Sequence, residues 1–250
     1  MLAVVATVVA SVFAQTTSVR WAQHRRTHEG VWTVALALFA LASVCLFLGS
    51  TTGWDPGVYK AFYLLGAALN VPWLALGTIY LLTDRRIADR IRAGVVFFSG
   101  LATGAVLVSP LRGTLPTDAI PNGRDHFGAL PRICVAMGSG LGAVVLFVGA
   151  AVSAWRWLRR RDDAGATRLA AANGCIALGT LVLSSGGLAK RFFSIDADQA
   201  FALCTALGIS VIYAGFWIAA AAPAVGATRS RSGHRIAQRA TEDLAGEGLR

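Results

Sequence analysis

Near the middle of one long apolar run, residues 59 to 80, the chain places Asn70, Pro72 and Trp73. A side-chain amide donates and accepts hydrogen bonds, an indole N–H donates one, and a proline removes the backbone donor its own helix would use. Groups of this kind hold neutral molecules or neighbouring helices. Positions 59, 63, 66, 70, 73, 77 and 80 alternate steps of four and three and so share one helix face. They read Tyr59, Tyr63, Gly66, Asn70, Trp73, Gly77 and Tyr80, whereas the other faces are mostly aliphatic. A second stripe runs through Asn173, Ala177, Thr180, Ser184 and Gly187. The candidate ligand-binding set is therefore Tyr63, Asn70, Trp73, Asn173, Thr180 and Ser184. A competing reading gives Asn70 only a helix–helix hydrogen bond, worth roughly 0.6–2 kcal/mol. Pro72 crowds the carbonyl of Ala68, which predicts a kink just N-terminal to it, with the helix bent near 68–72.

Other chemistries lack their residues. No Asp, Glu, Lys, Arg or His falls in the middle of an apolar segment, whereas ion-coupled transporters, pumps and voltage sensors carry such groups there. The histidines (24, 28, 126 and 234) lie outside the apolar runs, which excludes bis-His haem within a membrane. Cys45, Cys134, Cys175 and Cys204 sit in four different apolar segments with no CxxC spacing, as small packing residues do. No nucleophile triad, HExxH or phosphate loop appears. The expectation is a non-enzyme with no catalytic residue, metal or cofactor.

The elements that position these residues follow from composition. The 250 residues are 55% hydrophobic and 14% charged, where soluble domains carry about 25% charged residues. Apolar runs at about 1–19, 31–50, 59–82, 93–110, 132–155, 169–189 and 199–222 are each long enough to cross a bilayer. The first is read as a retained helix, since it lacks the basic stretch that opens a signal peptide. The expected fold is an all-α seven-helix transmembrane bundle over 1–222, followed by a basic, disordered cytoplasmic tail over 223–250.

Orientation comes from the basic residues. Segments 20–30, 84–92, 156–168 and the tail hold 17 of the 23 Lys and Arg; the alternate segments hold six. The first set has eight acidic residues and the second five, so one side is strongly basic and the other nearly neutral. Basic loops stay in the cytoplasm, which predicts the N-terminus outside and the C-terminus inside. The net charge of +10 is thus topological, with no nucleic acid implied, and the basic face suits anionic lipid headgroups.

Segment 111–131, "LRGTLPTDAIPNGRDHFGALP", is the long connection, and reads either as a lid over an outer vestibule or as a plain connector. The pairs Gly100/Gly104 and Gly138/Gly142 have the GxxxG spacing of closely packed helices. "KAFYLLGA" (60–67) and "QAFALCTA" (199–206) share four residues in register, which suggests a 3+1+3 parallel repeat.

The stretch "FYLLGAALNVPWLALGTIYLL" resembles segments of multi-pass membrane proteins of actinobacterial type, a group with no assigned catalytic residues. The resemblance covers the second and third runs and implies a bacterial inner (cytoplasmic) membrane protein. The seven-helix plan is also similar to the sensory modules that precede bacterial kinases, a likeness of plan alone. Two functions fit. One is binding or passive transport of a small neutral or lipid-like molecule. The other is a non-catalytic accessory or sensory subunit that acts through a partner membrane protein or as a homo-oligomer.

Overall fold

The computed structural model describes residues 2–116, 119–159, 168, 171–172, 174–182 and 197–220. Helices make up nearly all of it, and no strand occurs among the described residues. They are α1 (Leu2–His24), α2 (Thr27–Thr52), α3 (Pro56–Phe62), α4 (Asn70–Leu82), α5 (Arg85–Val108), α6 (Gly123–His126), α7 (Ala129–Leu158) and α8 (Ala197–Ala220). A π-helical segment, Tyr63–Leu69, joins α3 to α4, so Pro56–Leu82 is one continuous rod. Residues 174–182 are helical as well. The tail over 223–250 and much of the sixth predicted run lie outside the described residues.

Four helical rods are long and apolar enough to cross a membrane: Thr27–Thr52, Pro56–Leu82, Arg85–Val108 and Ala129–Arg156. Their outward faces carry large apolar side chains, such as Phe97, Leu107 and Val108 on α5, which suits lipid rather than water. These features suggest a membrane protein.

The connections are shorter than the charge pattern implied. Segment 20–30 reads as a loop in sequence, yet only Arg25 and Arg26 separate α1 from α2. Arg25 takes a left-handed conformation (φ 52°) and its amide donates to the Trp21 carbonyl at 2.8 Å, which ends α1 abruptly. Segment 84–92 is likewise helical from Arg85, because its Arg, Ile and Ala residues favour helix and extend α5 below its apolar part. The Tyr80 hydroxyl donates to Asp89 at 2.5 Å and ties α4 to α5 across this turn.

At the opposite end, Asp55 caps α3 by accepting the Gly57 amide at 2.7 Å, with Pro56 in the first helical turn. Lys60 donates to the Leu107 carbonyl at 2.9 Å, where a cation complements the end of α5. The 111–128 segment folds back over this end. Arg112 and His126 exchange two contacts at 2.9 Å, the Arg112 amide donating to the His126 carbonyl and His126 Nδ1 donating to the Arg112 carbonyl. Phe127 is fully buried and stacks on the buried Tyr59 ring, and Leu111, Leu115 and Ile120 pack on the same core. The described part of this segment is a packed cover.

Candidate functional site

Four of the six sequence candidates, Tyr63, Asn70, Trp73 and Thr180, fall within the described residues, and each has different surroundings. Asn173 and Ser184 lie outside the described residues. Tyr63 belongs to the aromatic cluster at the covered end, with its ring 4.5 Å from that of Phe127 and its hydroxyl end against Gly123. Trp73 donates its indole N–H to Ser99 of α5 at 3.1 Å. Thr180 is buried and donates to the Ile176 carbonyl at 2.7 Å. Asn70 is half-buried, and its side chain has no hydrogen bond among the described residues.

The polar and small positions of the central rod serve mainly to fit its neighbours. Asn70 donates its backbone N–H to the Leu65 carbonyl, an i→i−5 bond, and so ends the π segment. In a π pattern the Ala67 carbonyl would pair with residue 72, and in an α pattern the Ala68 carbonyl would; Pro72 has no N–H for either. Ser139 of α7 donates its hydroxyl to the Ala67 carbonyl. Gly138, beside it, lets the Ala68 carbonyl oxygen approach to where a Cβ would lie 2.9 Å away. Gly142 likewise admits the backbone of Val71. Gly77 is a notch for the Trp32 indole of α2, whose N–H donates to the Leu74 carbonyl at 3.3 Å.

The other GxxxG pair behaves differently. A Cβ at Gly100 or Gly104 would meet nothing within 4 Å, and these residues form a shallow open groove on α5 with Val96, Phe97, Leu101, Ala105 and Leu130. Only 11% of the apolar window of α5 is buried, against 33–39% for the other three rods, so α5 is peripheral.

Among the described residues, the central rod and the 174–182 helix share a cleft at Leu74, Thr78 and Ile176. This apolar cleft of about 70 Å³, partly open to the surface, lies where α1, α2, α4, α7, the 174–182 helix and α8 meet. Phe13, Trp32, Leu74, Leu146, Ile176 and Phe216 are among its walls, with Thr78 and Ser153 as hydroxyl-bearing members. Drug-sized ligands need roughly 300–1,000 Å³. This space admits the end of a narrow chain. No group of three or more potential metal ligands occurs among the described residues.

At one end of the cleft sit two charged residues that the sequence pattern left in a loop. Arg20 lies near the end of α1, and its guanidinium is 5.2 Å from the centre of the Phe216 ring, a cleft wall. Its Nε is 3.6 Å from Glu29 Oε1. The Glu29 side chain is only 4% exposed, and its second oxygen has no hydrogen-bond partner among the described residues. The available signal was helical spacing: Phe13 and Arg20 are seven apart, and Glu29, Trp32 and Leu36 advance by three and four.

Comparison with protein-family profiles and with curated proteins finds no match to the chain.

Proposed function

We propose that the protein is a multi-pass membrane protein of seven helices, with its N-terminus outside and its C-terminus in the bacterial cytoplasm, and that it binds or passively passes a lipid-like molecule. The reading includes no catalytic step. The observation that carries it is the apolar cleft at the meeting point of six helical elements, bordered at one end by Arg20 and Glu29. A flexible hydrocarbon tail matches such a space, because burying it removes apolar surface without leaving a polar group unpaired. The polar face of the central rod is less suited: Trp73 and the Ala67 carbonyl already have protein partners. The binding position therefore moves from Asn70 toward Leu74 and Thr78.

The test is ligand-linked stability of the purified protein in detergent, with and without added bilayer phospholipid. Phospholipid is expected to raise Tm, and Ala150→Trp, which fills the cleft, is expected to remove the rise. Thr78→Phe is a milder blocking variant should Ala150→Trp fail to fold. A rise that survives both variants, or no rise in the wild type, would overturn the reading.

A second reading rests on a different face. The open groove along Gly100 and Gly104 fits an accessory subunit that packs α5 against a partner helix. Gly100→Leu would then release a co-purifying membrane protein while leaving the lipid response intact.

A further inference from the structure

The cleft reading leaves open what kind of head the bound chain carries, and the residues at its charged end bear on that question. On α1, Phe13 walls the cleft and Arg20 follows two helical turns later, roughly 10 Å further along the same face. On α2, Trp32 and Leu36 wall the cleft and Glu29 lies one turn before them. On α8, Phe216 is shared, since its ring is both cleft wall and platform for the Arg20 guanidinium. Three helices thus carry the apolar space into one ionic spot.

The Glu29 side of that spot is incompletely satisfied. The Arg20–Glu29 contact is long, at 3.6 Å, and involves one carboxylate oxygen. The other, Glu29 Oε2, is buried with no hydrogen-bond partner among the described residues. A buried, unpaired carboxylate oxygen carries a substantial desolvation cost, which a donor bearing positive charge offsets best. Arg20 remains about one-third exposed beside the Phe216 ring.

We infer that the ligand is a phospholipid whose head presents a primary ammonium to Glu29 and its phosphate to Arg20, while one tail enters the cleft; phosphatidylethanolamine has this chemistry. The inference rests on the cleft reading and adds the identity of the head. It separates ethanolamine from choline lipids, because a quaternary ammonium has no N–H to give to Oε2. The same carboxylate disfavours purely anionic heads.

The experiment measures apparent affinity for phosphatidylethanolamine and phosphatidylcholine of identical tails, by native mass spectrometry of the detergent-solubilised full chain. Wild type is expected to prefer the ethanolamine lipid at least tenfold. Glu29→Gln, nearly isosteric, is expected to bring that ratio below threefold while binding of the choline lipid stays within twofold. Ala150→Trp is expected to weaken both lipids equally. Equal binding of the two lipids by wild type, or a tenfold preference that survives Glu29→Gln, would overturn the head assignment alone, provided Ala150→Trp still blocks binding. Binding of both lipids untouched by Ala150→Trp and Thr78→Phe would overturn the cleft reading and the head assignment together. A glycerol-headed lipid that competes as well as the ethanolamine lipid would also overturn it, since a hydroxyl would then suffice.

Discussion

The hydroxyl of Ser139 on α7 donates to the carbonyl of Ala67, the backbone acceptor that Pro72 leaves without a donor in the π pattern. Two helices are joined here by a covalent feature of one and a side chain of the other. An unpaired carbonyl in hydrocarbon has no water to turn to, which makes the partner valuable. Ser139→Ala is expected to destabilise the detergent-solubilised protein by about 1 kcal/mol. In a Pro72→Ala background, where residue 72 regains its N–H, the same change is expected to cost less. A double-mutant cycle read by thermal unfolding measures that coupling, and strict additivity would show that Pro72 and Ser139 act independently.

Two helical glycines, Gly77 and Gly100, are expected to respond in opposite directions. A Cβ at Gly77 would lie 2.1 Å from the Trp32 ring, whereas one at Gly100 would meet nothing within 4 Å. Gly77→Ala should therefore cost about 1–3 kcal/mol through overpacking. Gly100→Ala should be neutral or stabilise by up to about 1 kcal/mol, through helix propensity alone. Unfolding midpoints of the two variants, measured side by side, check the contrast; a loss at Gly100 equal to that at Gly77 would contradict the open groove.

Periodicity and charge made much of the helical plan readable, and the reasons lie in particular residues. The rods at Thr27–Thr52, Pro56–Leu82, Arg85–Val108 and Ala129–Arg156 correspond to apolar runs whose backbone polar groups, in lipid, must pair within a helix. Pro72 predicts a bend near 68–72; what the structure shows beside it is a π-helical segment over Tyr63–Leu69, whose end packs against Gly138 and Ser139 of α7. That is a tertiary contact, and local sequence does not encode it. The same limit hid Glu29: nine residues after Arg20 and just after His24, Arg25, Arg26 and His28, it reads as a loop residue until the left-handed Arg25 folds α2 back onto α1. The internal similarity of "KAFYLLGA" and "QAFALCTA" does not extend to local backbone form, because 63–67 is π-helical and 199–206 is α-helical.

The orientation is tested by single-cysteine labelling in a background whose four native cysteines are replaced. Arg86 and Arg124 stand at the two ends of the bundle, at the start of α5 and within α6, and both neighbourhoods are exposed. If the seventeen-to-six distribution of basic residues sets topology, an impermeant maleimide applied to intact cells should label Arg124→Cys and leave Arg86→Cys unmodified. Labelling at residue 86 from outside would invert the orientation.

Asn70 supplies the last prediction, and the structure reverses its expected sign. An asparagine that glues helices together should lower stability when replaced, because a hydrogen bond is lost. The Asn70 side chain is half-buried and has no hydrogen-bond partner among the described residues, so Asn70→Leu removes no such bond. It replaces an amide near mid-span with a hydrocarbon group, which is favourable in lipid. Asn70→Leu is therefore expected to leave Tm unchanged or raise stability by about 1 kcal/mol. The phospholipid response should also persist, since the walls of the cleft include Leu74 and Thr78 but not Asn70. A variant that folds normally yet loses the lipid-induced rise in Tm would return the binding site to the Asn70 face and displace it from the cleft.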